Sequence, residues 1–184
     1  EKDFMWAKYP TDEEILEGGV RGLYIGNFFK WNPNQHSEMV VKKYGWQKAK
    51  KPFERTYRMF SNLDDRYENG IHDLMKFVKF GYGRCSDHAS KDVRTGYMKR
   101  EKAVELVKKY DHVVSSDLKY WLKYIDMTED QFWNIADTFR NPKVWKIEKG
   151  NKWYKHTVWK TYESFGEVSL SKLQIDRHIE KQNK

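Results

Sequence analysis

A nearly continuous run of apolar residues in helical spacing is the feature that most restricts what this chain can fold into. The run leaves only a narrow polar arc between residues 71 and 80, and its apolar members are Ile71, Leu74, Met75, Phe77, Val78 and Phe80. A helix that is apolar on most sides is stable only when other elements surround it. Gly81 and Gly83 follow directly and predict its end. The sequence therefore predicts a buried helix at the centre of the fold.

Start and stop signals predict further helices on both sides of this run. Residues 11–14 and 128–131 have the Thr-x-x-Glu/Gln spacing of capping boxes. Asn34 is expected to cap a helix that ends at Gly45. These signals predict several helices packed around the central one.

Minor β structure is predicted at two places. The glycine-bounded alternation near residues 21–26 predicts a short strand, and a Gly-Asn turn predicts a hairpin over residues 144–155. The predicted fold class is therefore mainly α, a multi-helix domain with minor β.

Residues 1–160 are expected to form a single helical domain, and the polar residues 161–184 a partly frayed C-terminal extension. Because the chain begins with Glu1 rather than Met, we expect a piece of a longer protein.

Composition excludes several classes of protein. The length of 184 residues suits one domain, and an aromatic fraction of 16% argues against a disordered chain. No segment approaches the roughly 20 apolar residues of a membrane-spanning helix, so no membrane partner is expected. Cys85 is the only cysteine, which excludes an internal disulfide and a cysteine-based zinc site. The predicted location is the cytoplasm.

The formal net charge of +8 indicates an anionic partner, either nucleic acid, anionic lipid or a phosphorylated small molecule. The lysines are spread along the chain, which is also typical of a plain solvated surface. Residues 145–160 alternate tryptophan with lysine as a nucleic-acid groove would, but no nucleic-acid-binding signature accompanies them. Nucleic acid is therefore not the expected partner.

The densest polar chemistry of the sequence surrounds the end of the central helix. His72, Lys76 and Lys79 lie at positions i, i+4 and i+7 and are predicted to share one helix face. Arg84 follows the glycine turn, and a helix start near Asp87 would offer free backbone amides to an anion. These parts together predict a site for a phosphate or a carboxylate.

Purely structural interpretations of the same residues stay open. Asp73 could pair with the lysine three residues later, and His72 could be a hydrogen-bonded core histidine. The two histidines with Asp87 could bind a metal, but their spacing matches no closed zinc pattern, so no metal site is predicted. Cys85 beside His88 could be a nucleophile, although a lone cysteine is more often a small buried residue.

The residues around this site resemble the C-terminal half of the N-acetyl sugar amidotransferases, bacterial enzymes of lipopolysaccharide O-antigen and flagellin-glycan synthesis. The longest similar run is His72-Asp73-x-x-Lys76-Phe77-x-Lys79-Phe80-Gly81-Tyr82-Gly83-Arg84-x-x-Asp87-His88-Ala89-Ser90, continued by Arg94-x-Gly96-x-Met98-x-Arg100-Glu101-x-Ala103. Residues 22–33 and 132–142 are also similar to that family. The resemblance extends over roughly residues 9–160.

The resemblance implies a two-part enzyme. Members of the family carry an N-terminal PP-loop ATPase half, preceded by a cysteine-rich segment. With ATP, and with Mg²⁺ where a metal assists, they adenylate the amide oxygen of a sugar acetamido group, and ammonia then displaces AMP to give an acetamidino group. A glutaminase and a barrel subunit, both similar to imidazole glycerol phosphate synthase, supply the ammonia.

This chain has neither the PP-loop motif nor the cysteine cluster. The resemblance therefore implies an amidotransferase portion that binds a nucleotide-linked or acidic N-acetyl sugar, closes the cleft of the ATPase half, binds no ATP alone and is inactive by itself. Its expected substrate-binding residues are Lys76, Lys79, Tyr82 and Arg84. Its expected catalytic residues, which would orient the amide or move a proton, are His72, Asp87 and His88.

Two other classes of function stay open at this stage. A nucleic-acid-binding basic helical module would bind oligonucleotides with a steep salt dependence. A protein-docking lobe for the ammonia-supplying subunits would bind a partner protein and no nucleotide sugar.

Overall fold

The computed structural model describes residues 2–60, 68–148 and 150–184, and it contains eight α-helices and one small antiparallel sheet there. The helices are α1 (Asp12–Glu17), α2 (Pro33–Tyr44), α3 (Asn69–Phe80), α4 (Arg84–Arg94), α5 (Arg100–Tyr110), α6 (Asp117–Tyr124), α7 (Glu129–Asp137) and α8 (Lys172–Gln182). The strands are β1 (Lys146–Glu148), β2 (Lys152–His156) and β3 (Tyr162–Glu167), in the order β1-β2-β3. Short 3₁₀ turns cover Lys2–Ala7 and Ile25–Asn27. The predicted mainly α fold with minor β is confirmed.

Helix α3 lies at the centre, as the apolar run predicts. One side of it packs against α6 and α7 in a buried cluster of Ile71, Leu74, Val78, Leu118, Leu122, Phe132 and Ala136. Phe77, on another side, packs against Trp145 and Trp153 at the sheet. A third cluster joins α4 to α5 through Cys85, Ala89, Ala103 and Val107. Burial of apolar side chains on several sides of α3 connects the helical part of the chain to the sheet.

The predicted hairpin over residues 144–155 is confirmed by the antiparallel pairing of β1 with β2. Strand β3, which was not predicted, extends the sheet, and Val168 after it is buried in the same cluster as Trp153. The sheet is tied to α7 by Asp137, which is 1% exposed and accepts hydrogen bonds from Trp153 Nε1 at 2.8 Å and from the Ser169 amide at 2.9 Å.

The C-terminal residues differ from the partly frayed extension that their polarity predicts. Helix α8 begins at a capping box on Ser171, and Ile175 and Ile179 pack on the sheet cluster. His178 is buried and its Nε2 donates to the Trp145 carbonyl oxygen at 3.0 Å. Two isoleucines in i, i+4 spacing suffice to bury one face of an otherwise polar helix. The division at residue 160 stays a prediction.

The predicted strand near residues 21–26 is wrong. Residues 21–24 have no regular structure and a 3₁₀ turn follows. The alternating segment is too short to be stable without a neighbouring strand, and none pairs with it in the described chain. Among the described side chains, Asn32 is the first that is buried.

Helix α2 begins at Pro33, one residue before the predicted cap. Asn32 caps it by accepting the Asn34 and Gln35 amides at 3.1 and 3.2 Å. The Asn34 side chain instead donates to Asp92 Oδ1 in α4 at 2.7 Å. Both capping boxes, at residues 11–14 and 128–131, are confirmed. In the part of the chain that the structure describes, every helix is too short or too polar to cross a membrane.

Candidate functional site

The α3–α4 corner contains most of the residues that the sequence predicts as a site. Gly81 ends α3 with a φ of 75°, in the left-handed region that favours glycine. Gly83 is needed for space, because a Cβ there would lie 3.0 Å from an Asp111 carboxylate oxygen. Helix α4 follows at once and begins at Arg84, three residues before Asp87. The two glycines thus bring the start of α4 directly against the end of α3.

The predicted anion site at the start of α4 is already occupied by a carboxylate of the protein. Asp111 accepts hydrogen bonds from the Gly83 amide at 2.8 Å, the Ser86 amide at 3.1 Å and the Ser86 hydroxyl at 2.6 Å. Helix N-termini favour negative charge, and at the start of α4 the carboxylate of Asp111, at the end of α5, supplies it. The expectation that these amides are free for a ligand is therefore wrong.

Two ion pairs cross the corner from α3 to α4. Arg84 donates to Asp73, with Nη2 at 2.8 Å and Nε at 2.9 Å from Oδ1. Lys76 donates to Asp87. Asp73 therefore pairs with Arg84, not with the lysine three residues later. Both cationic side chains keep about a fifth of their surface exposed, so each can still reach a ligand from outside.

His72 lies at the exposed edge of the Arg84–Asp73 pair, whereas Lys79 lies apart from both pairs. The His72 side chain is 63% exposed, so it is not a core histidine, and its Nδ1 lies 3.3 Å from Asp73 Oδ1. Lys79 Nζ lies 5.9 Å from the centre of the Phe139 ring, beyond the end of α7. Lys76 Nζ lies 4.9 Å from the centre of the Tyr82 ring instead. The structure thus joins Lys76, but not Lys79, to the corner.

His88 is buried within α4, with 4% of its surface exposed. Its Nδ1 lies 2.8 Å from the Thr56 hydroxyl. Burial, together with the positive charges of Arg58, Arg84, Lys91 and Lys76, lowers the pKa of His88 to about 3. The imidazole is therefore neutral at physiological pH.

Arg55 and Arg58 were missed by the sequence reasoning, which treated residues 46–62 as polar and irregular. Arg55 is 3% exposed, and its Nη2 donates to the Asp111 backbone carbonyl at 2.5 Å. Arg58 is 6% exposed and pairs with Asp92, which also accepts from the Tyr57 hydroxyl. Two arginines three residues apart, in a chain whose cations are mostly lysine, were the available signal.

These two guanidinium groups are not fully hydrogen-bonded. In the described part of the chain, Nε and Nη1 of Arg55 and Nε of Arg58 are buried without an acceptor. Burial lowers the pKa of Arg55 to about 10, while the charges of Asp111 and Asp73 act in the opposite direction. A guanidinium has five N–H donors, so several of them are left without an acceptor among the described residues.

The other chemistries considered from the sequence find little support in the described residues. No group of three or more His, Cys, Asp or Glu side chains there could hold a metal ion. Cys85 is fully buried, and burial raises the pKa of its thiol to about 12. A thiol of that pKa is not a nucleophile at neutral pH.

Two comparisons with known proteins bear on this site. A family model for the C-terminal domain of WbpG-like lipopolysaccharide biosynthesis proteins matches residues 25–164, which is more than half of the chain. No curated protein matches the chain.

Proposed function

Because the chain belongs to the family of WbpG-like C-terminal domains of lipopolysaccharide biosynthesis proteins, we propose that it is the substrate-binding portion of an ATP-dependent amidotransferase. The family match confirms the resemblance to the C-terminal portion of the N-acetyl sugar amidotransferases. In the proposed reaction, ammonia derived from glutamine converts a sugar acetamido group to an acetamidino group. The product belongs to O-antigen or another surface glycan, and the reaction takes place in the cytoplasm.

The observation that carries this proposal is the cluster of cationic side chains at the α3–α4 corner, of which Lys76 and Arg84 keep about a fifth of their surface exposed. Burial is the main cause of the lowered pKa of His88, and four neighbouring cationic side chains act in the same direction. Anionic groups on a substrate would replace Asp73 and Asp87 as partners of Arg84 and Lys76, or add to them. We therefore assign this corner to the diphosphate or carboxylate of an acidic N-acetyl sugar.

ATP is assigned to another part of the enzyme. Within the described residues, the amides at the start of α4 already bind Asp111, so they do not form a phosphate loop. In the proposed enzyme a PP-loop ATPase half would bind ATP, with Mg²⁺ if a metal is needed, and activate the amide oxygen. A glutaminase and a barrel subunit would supply ammonia. The residues of this chain would bind and orient the sugar.

Replacing Lys76 by glutamine should weaken binding of UDP-N-acetylglucosamine by about tenfold, because it removes one charge-assisted hydrogen bond. Calorimetry with the 184-residue chain measures this directly. Lys76 is a better residue to replace than Arg84, because loss of Arg84 would leave the buried Asp73 carboxylate without its main partner and could destabilise the fold.

Lys102→Gln is the matched control. Lys102 is 61% exposed on α5 and pairs with Glu105, so this change alters the net charge equally at a remote surface. Equal affinities of wild type and Lys76→Gln would contradict the proposal. A random oligonucleotide that binds with a steep salt dependence, while the nucleotide sugar does not, would favour the nucleic-acid-binding alternative.

A further inference from the structure

A groove between the end of α5 and strand β3 lies outside the cationic corner. Its volume is about 460 Å³, and it is lined by Lys108, His112, Trp159, Glu163, Ser164, Phe165 and Gly166. We call it the β3 groove. A lining of two aromatic rings and several polar groups is typical of a site for a small polar ligand with an apolar face.

The aromatic rings of the β3 groove are held in place by their neighbours. Trp159 Nε1 donates to Glu163 Oε1 at 2.9 Å. Phe165 lies edge-on to Trp145, with ring centres 5.9 Å apart. Rings fixed in this way offer a flat apolar surface at little entropic cost. A hexose ring has a matching apolar face of C–H groups, and its hydroxyls can bond to groups such as Ser164.

A small inner cavity adjoins the groove. Its volume is about 20 Å³, and it shares His112, Trp159 and Phe165 with the groove. Tyr82 and Lys155 also line it, so it reaches the α3–α4 corner. A space of this size accepts one water-sized group.

Lys155 is the unusual group of this inner cavity. The residue is 7% exposed, and its Nζ makes its one hydrogen bond within the described chain to the His156 carbonyl oxygen, at 3.3 Å. Aromatic rings lie close to it, with Nζ 5.0 Å from the centre of the Phe165 ring and 5.6 Å from that of Phe77, and Asp111 and Ser86 also line the cavity. An ammonium has three N–H donors, so donors remain for an acceptor that enters the cavity.

We propose that the β3 groove binds the ring of an acetamido hexose and that Lys155 Nζ donates a hydrogen bond to the acetamido oxygen in the inner cavity. The oxygen matches both the size of the cavity and the spare donors of the ammonium. Burial lowers the pKa of Lys155, while Asp111 and Glu163 favour its charged form. This inference rests on the proposed function, since it assigns the part of the substrate that would react.

Neutral sugars test the groove separately from the cationic corner. We expect the 184-residue chain to bind the methyl glycosides of N-acetylglucosamine or N-acetylgalactosamine at least tenfold more tightly than the matching glycosides without the acetamido group. Saturation-transfer NMR should show the strongest transfer at the acetamido methyl group. Lys155→Met, which keeps the length of the side chain, should abolish the preference for the acetamido sugars.

Lys152→Met on the same strand is the matched control, because its side chain is 45% exposed and pairs with Glu167. Ser164→Tyr is a second variant that fills the exposed groove and should prevent binding without a change to the core. Equal binding of the two kinds of glycoside by the wild type, or an acetamido preference kept by Lys155→Met, would overturn the inference. These glycosides carry no phosphate or carboxylate, so such a result leaves the Lys76 experiment as an independent test of the proposed function.

Discussion

Asparagine in place of Asp111 should lower the free energy of unfolding by about 3 to 5 kcal/mol, because it leaves buried positive charge without its counter-charge. Asp111 is 4% exposed, and its carboxylate accepts two backbone amides and the Ser86 hydroxyl. It also stabilises the charge of the buried Arg55. The asparagine amide keeps the shape but turns an NH₂ group toward other donors. Urea unfolding followed by circular dichroism measures the loss, provided that the m-value is unchanged.

Two further variants sharpen this experiment. Asp176→Asn in α8, where the side chain is exposed, should change stability by no more than about 0.5 kcal/mol. Arg55→Met added to Asp111→Asn should recover part of the lost stability, because it removes the uncompensated charge. A loss of less than about 1 kcal/mol in Asp111→Asn would show that the corner does not depend on this carboxylate.

The parts of the fold that sequence reasoning predicted correctly depend on signals between near neighbours. The apolar run fixes α3, because its spacing is a property of consecutive residues. The capping boxes at residues 11–14 and 128–131 join atoms three residues apart. The hairpin follows from its turn. Helix α8 was missed because its two partly buried isoleucines are a weak signal among polar residues.

The candidate site was predicted less completely, because its partners come from distant parts of the chain. Asp111 follows Ser86 by 25 residues, and Thr56 precedes His88 by 32. No local spacing links such residues. The sequence therefore could not show that Asp111 occupies the amides at the start of α4, or that Arg55 and Arg58 are buried beside them. Helical spacing predicted that Lys79 and Lys76 share one face. A long, flexible side chain can extend away from that face, however, and Lys79 lies near Phe139.

Acid should destabilise the chain between pH 6.5 and 3, and His88 should account for about 4 kcal/mol of that loss. Its folded pKa of about 3 lies below the ordinary value of 6.5, so the unfolded state binds the proton first. The stability is therefore present in full above pH 6.5 and falls as the pH drops toward 3. Burial is the main cause, and the cations of the corner add to it.

His88→Gln isolates this contribution, since glutamine can still bond to the Thr56 hydroxyl but does not titrate. Urea unfolding at several pH values should give a shallower acid loss for His88→Gln than for the wild type. Carboxylates titrate in the same range, but they are common to both proteins and cancel in the difference. His72→Gln, at a side chain that is 63% exposed, should follow the wild type. Parallel curves for His88→Gln and the wild type would mean that burial and the neighbouring cations do not hold His88 neutral in the folded chain.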